Sequence, residues 1–221
     1  MTPTRRGTSV APSSSAAGLG DESVDIGATS HAEVARSPGK DGLRLHERRD
    51  TCLGKDDLAV RFLPAALDTT SAVSPFFQTF LAAQVTSGAR GFLSKGVTVA
   101  AMHQQSGDIH HIVPKDYLVK NGYPDRGDYN QVANFALTET AINIAISNRA
   151  PAEYMAIIQA QIRTGDLRLG EITSQADLTV NLRENAVPTD IGAISAGNYR
   201  EFLAKRRRLM AAIIRDYYSQ I

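Results

Sequence analysis

The chemistry in this chain gathers at GDIHHIVPKDYL, Gly107 to Leu118, where His110 and His111 stand side by side between isoleucines and Pro114 closes the run. Imidazole is the side chain whose ordinary pKa lies nearest neutrality, so the pair can pack, bind a metal or move protons. The β-branched flanks and the terminating proline read as extended backbone. Consecutive side chains of a strand point to opposite faces, so the two imidazoles cannot do the same job in the same direction. One can be a metal ligand while the other faces a substrate from the bend where the strand ends. Further along lie Asn134, in VANFALT, and Asn143, in TETAINIAISNRA. On or near the inner face of a helix, Asn143 could reach the same metal.

These residue types suit phosphodiester hydrolysis. That reaction needs a water deprotonated near neutral pH, which imidazole can do. It also needs a divalent cation to neutralise charge on the phosphate and the leaving oxygen. One imidazole and one amide oxygen form a thin ligand set that leaves positions open for water and phosphate oxygens. Plainer readings stand beside this one. Alone, His110 and His111 read as a satisfied pair in an apolar strand, Asn134 as a turn residue and Asn143 as an ordinary polar residue on a helix flank. Asn148 reads as a cap near Pro151.

The elements that must position these groups follow from the pattern. Ser74-Pro75 before FFQTFLAAQVTSG reads as a capped helix start, with Phe77, Phe80, Leu81 and Gln84 on one face and Gly88 as its stop. Gly96–Met102 suits a short strand or a helix start. DIHHIVP is a strand, NGYPDRGDYN a turn-rich loop, and Val132–Thr138 a second strand. From Thr138, a candidate N-cap, the period changes to that of a helix with Ala141, Ile142, Ala145 and Ile146 in its apolar stripe. Another helix begins at Pro151 and ends at Gly165, and residues 166–197 give mixed signals. The clearest helix is NYREFLAKRRRLMAAIIRDYYSQI, whose core stripe comprises Tyr199, Phe202, Leu203, Met210, Ile213, Ile214 and Tyr217.

Composition sets outer bounds. A net charge of +1 gives no global pull toward nucleic acid or anionic membrane, so any basic surface must be local. The single cysteine, Cys52, excludes an intramolecular disulfide and cysteine-based zinc modules. No apolar run approaches the ~20 residues that span a bilayer, and no signal-type h-region follows Arg5 and Arg6, so a cytoplasmic location is expected. Residues 1–55, rich in Ser, Ala, Gly and Thr and lacking aromatics, read as a low-complexity, disordered tail. Residues 56–221 form the ordered domain. Lys205, Arg206, Arg207 and Arg208 lie on the last helix, which carries six Lys/Arg against two Asp/Glu. A solvated face is the usual reading of such a run. Arg206 and Arg207 are nonetheless candidate phosphate contacts, as is Lys115 beside the histidine strand. His31, His46 and His103 receive no role.

The ordered set DIHHIVPKDYL, VANFALTETAIN and NRAPAEYM resembles the ββα-metal (His-Me finger, HNH) nuclease core. More narrowly, it is similar to the C-terminal nuclease domain of GmrSD-type, modification-dependent restriction enzymes. That family shows a His-His-Ile-x-Pro strand, an Ala-Asn strand, an Asn in the next helix, an Asn-x-x-Pro-x-x-Tyr stretch and a late Phe-Leu-x-x-Arg helix. NRAPAEY, from Asn148, and EFLAKRR, from Glu201, match the last two, SPFFQTFL resembles what precedes the core, and the likeness covers roughly residues 70 to 221. It implies that His111 is the general base and that His110, in a slot where many HNH enzymes use Asp, is a metal ligand together with Asn143. It also implies that Asn134 holds the loop that orients His111, with Asp108 a supporting group behind the ligands. The Asp-Gly-Gln-Arg type motif of the family's nucleotide-hydrolysing domain does not occur in the sequence, nor does a Gly-x-x-x-x-Gly-Lys loop. The chain thus resembles the nuclease half alone, and a separate nucleotide-binding restriction subunit becomes a candidate partner.

The expectation is an α+β, mainly helical protein with a ββα-metal core at about 96–150, flanking helices, and a C-terminal helical part at 151–221. Its expected activity is DNA endonuclease action with Mg²⁺ or Mn²⁺, in restriction or defence against foreign or modified DNA, with no membrane partner. A catalytically silent DNA-binding or assembly subunit, and an RNA-cleaving toxin, are the alternatives.

Overall fold

The computed structural model describes residues 63–105 and 108–220. The expectation of a disordered tail at 1–55 falls outside them. The described part is mainly helical with one small antiparallel sheet, an α+β arrangement. After a short α1 (Leu63–Ala66) comes α2 (Pro75–Thr86), then α3 (Val99–Gln104) and β1 (Asp108–His111). Two short helices, α4 (Lys115–Lys120) and α5 (Arg126–Tyr129), lead to β2 (Phe135–Thr138) and α6 (Thr140–Ile146). The chain closes with α7 (Pro151–Thr164), α8 (Gln175–Glu184) and α9 (Tyr199–Tyr218).

Helix α2 starts as its sequence requires. The Ser74 hydroxyl accepts from the Phe77 N–H at 3.2 Å, Pro75 takes the first turn, and Gly88 past the end adopts φ +68°. Within Gly96–Met102 a helix starts at Val99, because the Thr98 hydroxyl caps it at the Ala101 N–H. The mixed-signal stretch 166–197 contains α8, capped by the Ser174 hydroxyl at Asp177 N–H. On α9, Tyr199, Phe202, Leu203, Met210 and Ile214 are buried at helical spacing, and the helix packs against α1 and α2.

Both strands are shorter than their sequence suggests. β1 and β2 pair in the register Asp108↔Thr138, Ile109↔Leu137, His110↔Ala136 and His111↔Phe135. Val132–Asn134 is a 3-10 turn rather than the first half of the second strand. The reason lies in Asn134, whose side chain turns back to take backbone groups of Val113 and Tyr129. Thr138 is not the cap of α6 either. Its hydroxyl donates to the Phe92 carbonyl at 2.7 Å, and Glu139 occupies the cap position. The main core is built around Phe77, Phe80, Phe92, Phe135, Tyr154 and Phe202, and a smaller cluster joins Ala89, Val99 and Met102 to Leu137 of β2.

Candidate active site

His110 and His111 part company as strand alternation requires. The His110 ring is 4% exposed and stacks on Phe92 at 6.1 Å between centroids. Its Nδ1 lies 2.7 Å from Asn143 Oδ1 on α6. An amide oxygen carries no hydrogen, so in this arrangement Nδ1–H donates and Nε2 bears the lone pair. Nε2 is sealed in the interior without a partner. Burial opposes the charged imidazolium and pushes the His110 pKa down to about 4, with the Asn143 bond acting in the other direction and the neighbouring His111 charge lowering it further. His110 is therefore neutral at pH 7, the state in which imidazole binds a metal.

His111 is held by different neighbours. Its ring meets Phe135 edge-on at 5.2 Å and Tyr129 at 6.2 Å. Nε2 lies 2.9 Å from Asn130 Oδ1, and by the same logic Nε2–H is the donor. Nδ1 has no partner among the described residues and is not sealed from solvent. Burial lowers the His111 pKa as well, with the Asn130 bond raising it and the Lys115 charge lowering it. The ring is thus a neutral base at physiological pH.

Asn134 is fully buried and ties the two chain segments that carry this pair. Its Oδ1 accepts from Val113 N–H at 2.9 Å, while Nδ2 donates to Val113 O at 3.0 Å and Tyr129 O at 3.1 Å. Its own carbonyl accepts from Ile112 N–H at 2.8 Å. The Tyr154 hydroxyl donates to the Ile112 carbonyl at 3.0 Å from α7. Under His110, the strap Gly91–Ser94 that carries Phe92 is held by Asn181, which accepts from Leu93 N–H and donates to Gly91 O and Ser94 O.

These parts converge on a cleft of about 260 Å³ whose lining includes His110, His111, Lys115, Asn143 and Asn148. Asp108 does not line the cleft; its carboxylate lies 3.5 Å from the Asn143 amide nitrogen, a marginal hydrogen-bond distance. Asn148 does not cap α7; Ala150 takes that position, with its N–H donating to Glu153. Exposed Lys115 sits at the rim with its ammonium 5.3 Å from the Tyr129 ring centre. Two candidate phosphate contacts are not at the cleft. Arg206 is fully buried, donating to the carbonyls of Asn185 at 3.2 Å and Val132 at 3.4 Å, so it cannot reach a phosphate in solvent. Arg207 is bonded to Asp68 at 2.6 Å and Gln131 at 3.1 Å in a different hollow.

Sequence reasoning missed Asn130, Phe92 and Asn181 as parts of this environment. Asn130 ends a turn-rich loop where asparagine is ordinary, so no periodicity marks it. Among the described residues, no three His, Cys, Asp or Glu side chains cluster as a metal site. A cation here would rest on one imidazole and one amide oxygen. His110 Nδ1 and Asn143 Oδ1 would be the donor pair, Nδ1 only after losing the proton it now donates across the 2.7 Å contact. No protein-family model, characterised protein or solved structure matches the chain.

Proposed function

We propose that this chain is a divalent-metal-dependent HNH-type endonuclease that hydrolyses phosphodiester bonds in DNA, within a restriction or defence system. The observation that carries the reading is the meeting of a neutral, buried imidazole–amide pair with a second, differently held imidazole at one open cleft. The order of parts supports it as well, since β1, a clamped loop, β2 and α6 follow one another as a ββα-metal core would.

In this reading His110 and Asn143 would hold the cation, which when bound would supply positive charge against that developing on the phosphate. Binding at Nδ1 requires the proton now shared with Asn143 to leave or to move to Nε2. His111 takes a proton from the attacking water as the water oxygen bonds to phosphorus. The phosphorus–oxygen bond to the leaving group then breaks, and that oxygen is protonated from solvent. Lys115, at the rim, is the side chain best placed to meet a backbone phosphate.

The test is nicking of supercoiled plasmid by the purified full chain with Mg²⁺ or Mn²⁺, with and without EDTA. Wild-type protein is expected to nick only with metal. His111→Ala is expected to lose at least about a hundredfold in rate with its circular dichroism unchanged. Full activity in that variant sinks the mechanism. Cleavage of single-stranded RNA but not plasmid would instead identify the toxin reading. Inactivity on both would leave a silent DNA-binding or assembly subunit as the better description.

A further inference from the structure

We infer that Asn130 is the positioning residue that sets the tautomer of His111, keeping the proton on Nε2 and presenting bare Nδ1 as the proton-accepting nitrogen. This rests on the reading of His111 as the general base, and it adds a residue to that machinery. Two neutral tautomers of imidazole are close in energy in water, so a base with no fixed partner offers the correct nitrogen only part of the time. Here three neighbours hold the ring, and one of them distinguishes its nitrogens.

Phe135 and Tyr129 fix the ring plane through edge contacts at 5.2 and 6.2 Å. Packing alone does not distinguish the two nitrogens, and Asn130 does. Its Oδ1 lies 2.9 Å from Nε2 and can only accept, so the ring proton is drawn to that nitrogen. The placement of Asn130 is itself enforced. Asn134 bonds both Val113, two residues after His111, and Tyr129, the residue before Asn130. One buried amide therefore holds the base and its orienting partner in register. The Asn130 N–H also donates to the Arg126 carbonyl at 3.1 Å, which keeps the backbone of this loop in place when the side chain is changed.

The experiment uses the full chain labelled with ¹⁵N-histidine and reads the His111 tautomer from long-range nitrogen–proton correlations at pH 8, without added metal. His111→Gln identifies the signal by its loss. Wild type is expected to show the Nε2–H form, Asn130→Leu to lose that bias, and Asn130→Asp to keep it, because a carboxylate also accepts. In the nicking assay Asn130→Leu is expected to lose about ten- to a hundredfold in kcat with little change in KM, and Asn130→Asp to recover most of it. An Nδ1–H form in wild type, or an unchanged tautomer in Asn130→Leu, overturns the inference. So does an unchanged kcat in a folded Asn130→Leu protein that nicks DNA. A wild type that cuts nothing overturns the nuclease reading instead, and the tautomer spectra then still decide what Asn130 does to His111.

Discussion

His110 couples the stability of the protein to pH. Its pKa is about 4 in the folded state because burial opposes the charge, against about 6.5 in the unfolded chain. Between those values the unfolded state binds more protons, so stability rises with pH across that window. The contribution is complete above about pH 6.5, falls as the pH drops through the window, and is gone below about pH 4. A separation of that size corresponds to about 3 kcal/mol. Urea unfolding in EDTA at pH 7.5 and pH 4 should therefore show a larger loss for wild type than for His110→Gln, by about that amount. Equal losses would mean that the folded protein tolerates a charged His110. If His110 and Asn143 hold a cation as proposed, His110→Ala is expected to weaken Mn²⁺ binding in a direct titration, and an unchanged titration would refute the ligand role.

At the scale of elements, the hairpin is short and depends on its clamp more than on its ladder. β1 and β2 offer only four paired positions, and such a small sheet is marginal by itself. Asn134 adds three side-chain bonds across the connection, all from a fully buried amide. Truncation to alanine would orphan the Val113 N–H and remove partners from two carbonyls. Each buried group left unpaired costs about 1–3 kcal/mol, so Asn134→Ala is expected to lower the unfolding free energy by at least about 2 kcal/mol. It is also expected to broaden the His111 ring signals, since Val113 and Tyr129 would no longer be held together. A midpoint within experimental error of wild type would show that the ladder suffices.

On the scale of the whole molecule, three of the four cations in the basic run on α9 are engaged within the protein, and exposed Arg208 is the exception. Arg206 is interior, and burial pulls its guanidinium down to about 9, still protonated at neutral pH. It serves as an internal brace between α9, the turn before Asn134 and the end of α8, through the carbonyls of Val132 and Asn185. Arg207 is held by Asp68 and Gln131, and Lys205 is paired with Asp190 at 2.8 Å. If the cleft binds DNA, its phosphate contacts come from residues such as Lys115. Lys115→Ala should then reduce the salt slope of DNA binding by about one, while Arg207→Gln should leave it unchanged. The reverse result would move the nucleic-acid surface to α9. No described helix is long and apolar enough to cross a membrane.

The sequence alone determined that the two adjacent imidazoles meet different neighbours. Strand alternation divides His110 from His111 whatever the rest of the fold does, and the period of α9 marks its buried face. The Ser74-Pro75 start of α2 was equally legible, because caps act through neighbours three residues away. Where β2 begins was not legible, since the bonds that turn Val132–Asn134 away from the ladder come from Val113 and Tyr129. Nor was Arg206, which has the composition of a solvated residue and lies inside only because Val132 and Asn185 turn carbonyls toward it. Asn130 belongs with these. It stands nineteen positions from His111, in a loop with no period, and chain closure through Asn134 is what brings the two together. Local bonding and periodicity are written in neighbouring residues; contacts between distant loops exist only once the core has closed.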